Sequence, residues 1–409
     1  MSHAFSSPRG GHEVRLLQGS VELFPALIAA IAAAQREVRL ETYIFDFSGQ
    51  SAEVAQALEQ AARRGVSVNV VVDGFGTEPP PAEWHERFAR AGVRWRVYAP
   101  LGWLGMLRLG SWRRLHRKLC VVDGKVAFCG GVNVLDDFHD PSYGRLQAPR
   151  LDYAVRVTGP LVADVEASMG RLWLRMQAVY DMRRAQLADA LYSLRASKVG
   201  RVRIKRPPAS GNAPLARQAR AALVLRDNLR NRTRIERAYR RAIGRAREEI
   251  IIANAYFAPG RKMRKALISA AQRGVKVQLL LQGRYEYFMQ FYAARPIYGA
   301  LLRAGVEIHE YSPSFLHAKV AVIDGRWATV GSSNLDPLSL LLAREANVVV
   351  EDLAFAALLR TRLMQAIRQE GRQMSADEYS NRPLRQRAME YVALGLMRLA
   401  LAIQGKKYL

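Results

Sequence analysis

Two stretches of the chain carry one pattern of reactive residues. The first is Leu115-His116-Arg117-Lys118, then Asp123-Gly124, then Gly130-Gly131-Val132-Asn133. The second is Leu316-His317-Ala318-Lys319, then Asp324-Gly325, then Gly331-Ser332-Ser333-Asn334. Both read H-x-K-x4-D-x6-G-[G/S]-x-N with identical spacing. Imidazole suits nucleophilic attack and proton transfer near neutrality. A His and a Lys two residues apart on an extended strand point to one face, about 7 Å apart, so both can reach one phosphate. Asp-Gly predicts a tight turn into a second strand, Lys125 to Cys129 or Arg326 to Val330. The glycine-containing loop that follows can offer backbone N–H groups and an Asn amide to phosphate oxygens. Lys118, Lys319, Asn133 and Asn334 are therefore expected at the phosphate, and Ser332 either there or in support of the site. Asp123 and Asp324 complete the catalytic motifs, with the ordering of their turns as the role the spacing suggests. His3, His12, His85, His139 and His309 lie outside any such pattern and are expected to be packed or exposed without chemical duty.

These residues need a scaffold that appears twice, and the sequence contains one. Glu37–Phe45 aligns with Glu249–Phe257, Ala57–Val68 with Ala266–Val277, and Arg90–Val93 with Arg303–Val306. A repeat of this length is a duplicated domain, since solenoid periods run only to about 50 residues. Within each copy helical and β-branched stretches alternate: a helix over Ala26–Gln35, a strand over Val38–Phe45, a helix over Ser51–Arg64 ending at Gly65, and a strand over Val66–Val72. The expected fold is α/β: two tandem domains, each a mixed sheet with helices on both faces, related by a pseudo-twofold. The first domain is expected over 1–180, a basic, proline-containing linker over 181–222, the second domain over 223–375 with its first helix at Thr233–Ala246, and an amphipathic tail over 376–409. Asp152 and Glu345 occupy corresponding places after the two motifs and are proposed as carboxylates that orient the histidines.

With 409 residues, half of them hydrophobic, the chain has ample material for a large core, which excludes a mainly disordered protein. Cys120 and Cys129 cannot form a secreted disulfide framework and lack the clustering of a zinc site; free thiols in a reducing compartment are expected. The net charge of +26 favours a polyanionic partner, either nucleic acid or an anionic membrane. Sixteen Lys and Arg against two acids between Arg195 and Arg245 concentrate that excess. The polar N-terminus reads as lacking a signal peptide, and no run approaches the ~18 apolar residues of a spanning helix.

The paired motifs resemble the duplicated HKD motifs of the phospholipase D superfamily. Asn254-Ala-Tyr-Phe-Ala-Pro-Gly260, Gly331-Ser-Ser-Asn-Leu-Asp-Pro-Leu-Ser339 and Asp152-Tyr-Ala-Val155 narrow the likeness to bacterial cardiolipin synthases, most closely the short form called cardiolipin synthase B. The resemblance implies phosphatidyl transfer from one phospholipid to the glycerol headgroup of phosphatidylglycerol through a phosphohistidine. His116 would be nucleophile and His317 the acid and base, with no metal or other cofactor. It also implies phospholipid substrates (phosphatidylglycerol, with phosphatidylethanolamine as another donor) and a peripheral place on the cytoplasmic face of a bacterial membrane. Nucleic acid is the less expected partner. A phospholipase D releasing the same lipids to water or another alcohol, and a superfamily nuclease, remain the alternatives. Trp103, Leu104, Met106, Leu107 and Trp112, flanked by arginines before the first motif, suit a headgroup boundary, and Tyr391–Leu409 suits an interfacial or docked helix.

Overall fold

The computed structural model describes residues 7–100, 113–183, 187–199, 219–227, 231–285, 288–336 and 343–403. The segment holding Trp103, Leu104, Met106, Leu107 and Trp112 lies outside them.

The repeat folds twice into the same seven-strand order. In the first half the strands run Arg94–Tyr98, Ser67–Asp73, Glu37–Thr42, Lys118–Val122, Val126–Gly130, Tyr153–Thr158 and Arg9–Gln18. In the second they run Glu307–Tyr311, Lys276–Gln282, Glu249–Asn254, Lys319–Ile323, Trp327–Gly331, Ala343–Glu351 and Ala219–Arg226, with Gly371–Gln373 added at the outer edge. Three strands of each half pair in parallel through crossover helices, and the motif hairpin then pairs antiparallel to Glu37–Thr42 or Glu249–Asn254. Arg9–Gln18 joins Ala219–Arg226 antiparallel across an irregular register, making one sheet of 16 strands once the short strand Arg114–Leu115, paired in parallel with Ala343–Glu351, is counted.

Burial follows from that order. Each half has a core under its own crossover helices, around Ile31, Val54, Leu58 and Val70 in the first and Ile243, Met263, Leu267 and Leu279 in the second. The opposite faces share a third core that contains Val155, Leu161 and Val165 together with Val320, Val348, Leu359 and Leu363. Each large aliphatic side chain buried there stabilises by roughly 1.5–3 kcal/mol. The shared core therefore fixes the halves against each other. The strands are covered on both faces, as the unbroken apolar runs Val70–Val72 and Ile250–Ala253 imply.

The expected helices and strands are present, with ends moved by a few residues: the first helix is Gly19–Ala32, and Glu37–Thr42 stops before Phe45. The expected linker is more structured than its composition suggests. Leu187–Val199 is helical and packs on Leu161–Arg183, and the second half's sheet begins at Ala219. Both cysteines are free and buried.

Candidate active site

The site is built where the strands of the two halves end side by side. Asp123 and Gly124 both take positive φ (53° and 67°), as do Asp324 and Gly325 (49° and 59°), the backbone of a two-residue hairpin turn that only such residues adopt readily. Each Asp is held in this strained region by three backbone donors. Asp123 accepts from the N–H groups of Gln35, Arg36 and Glu37 at 2.8–3.0 Å, and Asp324 from those of Arg247, Glu248 and Glu249 at 2.9–3.2 Å. Burial opposes their ionisation, but these donors keep both below the usual carboxylate range. Four extended residues lie between each Asp and its motif Lys, a span of roughly 16 Å. The expectation that Asp123 and Asp324 are catalytic is corrected: they lock the hairpin to the strand beside it.

The histidines are placed by exchange between the halves. The His116 N–H donates to Arg344 O at 3.1 Å, and the His317 N–H to Leu151 O at 2.9 Å. One residue further on stand Glu345 and Asp152. His116 donates Nδ1–H to Glu345, 3.1 Å and 3.2 Å from its two oxygens, while His317 donates Nδ1–H to Asp152 Oδ2 at 2.6 Å. Each half thus supplies the carboxylate for the other half's imidazole. The ring centroids lie 6.5 Å apart, and with each Nδ1 engaged by a carboxylate the Nε2 atoms are the ends left for chemistry.

The lysines are buried beside them. Lys118 Nζ donates to His116 O at 2.7 Å, Lys319 Nζ donates to His317 O, and Lys319 Nζ is 3.8 Å from Asp152 Oδ2. Burial, with Lys319 nearby, lowers Lys118 to about 7. Burial raises Asp152 to about 7 against the pull of Lys319, the Tyr153 N–H and Lys118. Burial lowers both histidines, and the two lysines hold His317 further down; Glu345 partly restores His116. For Glu345 burial is outweighed by His116, Lys118 and the Ser332 hydroxyl, which keep it low. Burial thus favours the neutral form of both imidazoles, and an arriving anion would raise every one of these basic groups.

Of the two roles expected for Ser332, phosphate contact or support, its hydrogen bonds are those of support. Its hydroxyl donates to Glu345 Oε2 at 2.5 Å and accepts from the Ala346 N–H at 3.1 Å, so it braces the carboxylate. The matching residue is Gly131, where a Cβ would land inside the Asp152 carboxylate. The short acid therefore goes with Gly and the long acid with Ser. Asn133 Oδ1 accepts from the Ile44 N–H at 3.2 Å and Asn334 Oδ1 from the Tyr256 N–H at 3.4 Å. Those bonds fix the amides so that their N–H groups are the ends available to an oxyanion.

Three contributors were not anticipated. Tyr43 stacks edge-on against His116, centroids 5.0 Å apart, with Lys118 Nζ 5.4 Å from the Tyr43 ring centre. Asp73 accepts from the Leu115 N–H at 2.7 Å, and Gln282 from the Leu316 N–H at 3.0 Å, so each steadies the backbone entering a motif. All three lie at or just beyond the ends of repeat strands; Asp73 and Gln282 occupy matching places in the two copies, whereas Tyr43 is matched by Ala255. Of the remaining histidines, His12 and His309 are buried away from the pair, and His85 and His139 are exposed.

The sequence pattern described as "Cardiolipin synthase, PLD-like domain" matches residues 27–139 and 239–367, one segment in each half. Cardiolipin synthase B of Escherichia coli K12 is 38% identical over 355 residues, covering 87% of this chain and 80% of that protein. Cardiolipin synthase of Clostridium perfringens is 28% identical over 341 residues, covering 83% and 67%. Among solved structures, phosphatidylserine synthase of Haemophilus influenzae superposes with a TM-score of 0.65 at 12% identity, covering 99% of this chain and 98% of that one, a likeness of fold.

Proposed function

The chain belongs to the cardiolipin synthase family of paired phospholipase D-like domains and is a phosphatidyltransferase acting on phospholipids; from that premise we propose that it joins two phosphatidylglycerols into cardiolipin and glycerol through a phosphohistidine. The observation that carries the reading is the pair of imidazoles 6.5 Å apart, each with Nδ1 tied to a carboxylate of the opposite half.

In the first step His116 Nε2 attacks phosphorus and the P–O bond to the departing glycerol breaks. His317, protonated on Nε2 as the substrate's charge enters the site, gives that proton to the leaving oxygen. In the second step His317 takes the proton from a hydroxyl of the acceptor's glycerol headgroup. That oxygen bonds phosphorus and the P–N bond to His116 breaks, which restores both rings. Glu345, held low by His116, Lys118 and the Ser332 hydroxyl, supports the positive charge that develops on His116. Lys118, Lys319, Asn133 and Asn334 offset negative charge on the phosphate oxygens in each crowded, five-bonded transition state. The excess of basic residues supports work at an anionic membrane surface, with the protein peripheral on its cytoplasmic face and phosphatidylethanolamine as a second donor.

The test is product analysis by mass. Purified protein with phosphatidylglycerol should yield cardiolipin and glycerol in equal amounts, and His116→Ala should form no phosphoprotein while His317→Ala accumulates one on His116. Phosphatidic acid as the main product would make the protein a hydrolase, and cleavage of single-stranded DNA with no lipid product would make it a nuclease. An adduct on His317 alone would exchange the two roles.

A further inference from the structure

The C-terminal helix Leu384–Ile403, about 30 Å long, has two apolar faces. One is used: Ala393, Leu394 and Met397 are buried against Phe288, Tyr292 and Ala293 of the short helix Phe288–Ala294. The other is open. Leu384, Tyr391, Val392, Leu396 and Leu399 recur at helical spacing opposite the buried face and are 47–79% exposed. Arg385, Arg387 and Arg398 on the same helix are exposed, while its single acid, Glu390, is buried and bonded to Arg382 at 2.8 Å.

The helix on which it rests leads to the catalytic pair. Tyr292 packs within 6.2 Å of the Tyr285 ring, and Tyr143 donates its hydroxyl to Tyr285 O at 3.4 Å. The Tyr143 ring lies 5.3 Å from Phe315, two residues before His317. Tyr143 and Tyr285 are each about half exposed.

We infer that the open face of Leu384–Ile403 is the surface by which the protein seats on an anionic phospholipid bilayer, with the aromatic run Tyr285–Tyr143–Phe315 leading from that seat to His317. Charge selects this occupant: an apolar stripe bearing exposed arginines and no exposed acid matches acyl chains beneath anionic headgroups. The inference rests on the reading of the protein as a phosphatidyltransferase of membrane lipids, and it specifies which face meets them.

Cys120 and Cys129 are buried, their thiols pushed up to about 12 by burial, so a cysteine placed at 399 is labelled selectively. Leu399→Cys carrying an environment-sensitive fluorophore is expected to shift to the blue on mixing with vesicles of equal parts phosphatidylglycerol and phosphatidylcholine, and much less with phosphatidylcholine alone. The double variant Leu396→Ser/Leu399→Ser, with an unchanged melting temperature, is expected to partition onto the mixed vesicles at least about ten-fold more weakly. An unshifted probe on a protein that still sediments with the mixed vesicles overturns the inference, as does a double variant that sediments like the parent. Transfer by the parent protein on detergent-dispersed phosphatidylglycerol, measured in parallel, judges the reaction separately: its absence beside a blue-shifted probe removes the reaction and leaves the seat.

Discussion

Replacing Asp152 by Asn should slow the enzyme and stabilise its fold at alkaline pH. Asp152 is 1% exposed, and burial moves its ionisation from the ordinary 3.8 up to about 7. In the unfolded chain the carboxyl ionises near its ordinary value, so between these two values the folded protein holds a proton that the unfolded one has lost. The stabilisation belonging to this group is complete below pH 3.8 and is lost as the pH rises through about 7. At pH 8 the full difference of about three units is being spent, an upper bound of about 4 kcal/mol. Asn is shaped like the neutral acid and never ionises, so it avoids this cost. For catalysis the balance reverses: Asp152 Oδ2 accepts the His317 Nδ1–H at 2.6 Å, and a hydrogen bond to a charged group contributes about 1.5–3 kcal/mol. Its loss corresponds to a fall in kcat of roughly 10- to 150-fold, more if the amide turns its NH2 towards Nδ1 and imposes the wrong tautomer. The assay is cardiolipin formation from phosphatidylglycerol at pH 8, beside thermal melts of both proteins at pH 5 and pH 8. The melting difference in favour of the variant should be larger at pH 8. A variant with parental kcat, or one whose relative stability falls as pH rises, would refute this account of the buried carboxylate.

The Ser–Gly asymmetry makes a paired prediction. Ser332→Ala should cost about ten-fold in kcat through the lost hydrogen bond to Glu345, whereas Gly131→Ser should cost at least about 100-fold, because its side chain displaces Asp152; steady-state kinetics on both variants checks the order. Asp123→Ala should lose about 2–4 kcal/mol of stability in urea unfolding, since three backbone donors lose their acceptor, yet keep kcat per folded molecule within about two-fold. Because the folded protein holds Asp123 below its ordinary value, that contribution should be present above about pH 4 and fade as the pH falls further, seen as converging melts of variant and parent.

The sequence alone determined whatever local spacing controls. His-x-Lys followed by Asp-Gly specifies a strand, a two-residue turn and a returning strand, and the turn forms with both residues at positive φ as that chemistry requires. Repetition of the pattern identified His116 and His317 against five other histidines, and the same alignment of copies found Asp152 and Glu345. What no local rule contains is which half serves which. The shared core sets the strand ends of the two halves side by side, and only then does Glu345 reach His116 and Asp152 reach His317. The duties of Ser332, Asp123 and Asp324 were decided in the same way, by which donor or acceptor lay within hydrogen-bond reach after folding. Residue type states what a side chain is able to do; the packing of distant segments selects which of those abilities is used, because a hydrogen bond or an ion pair is formed by neighbours in space.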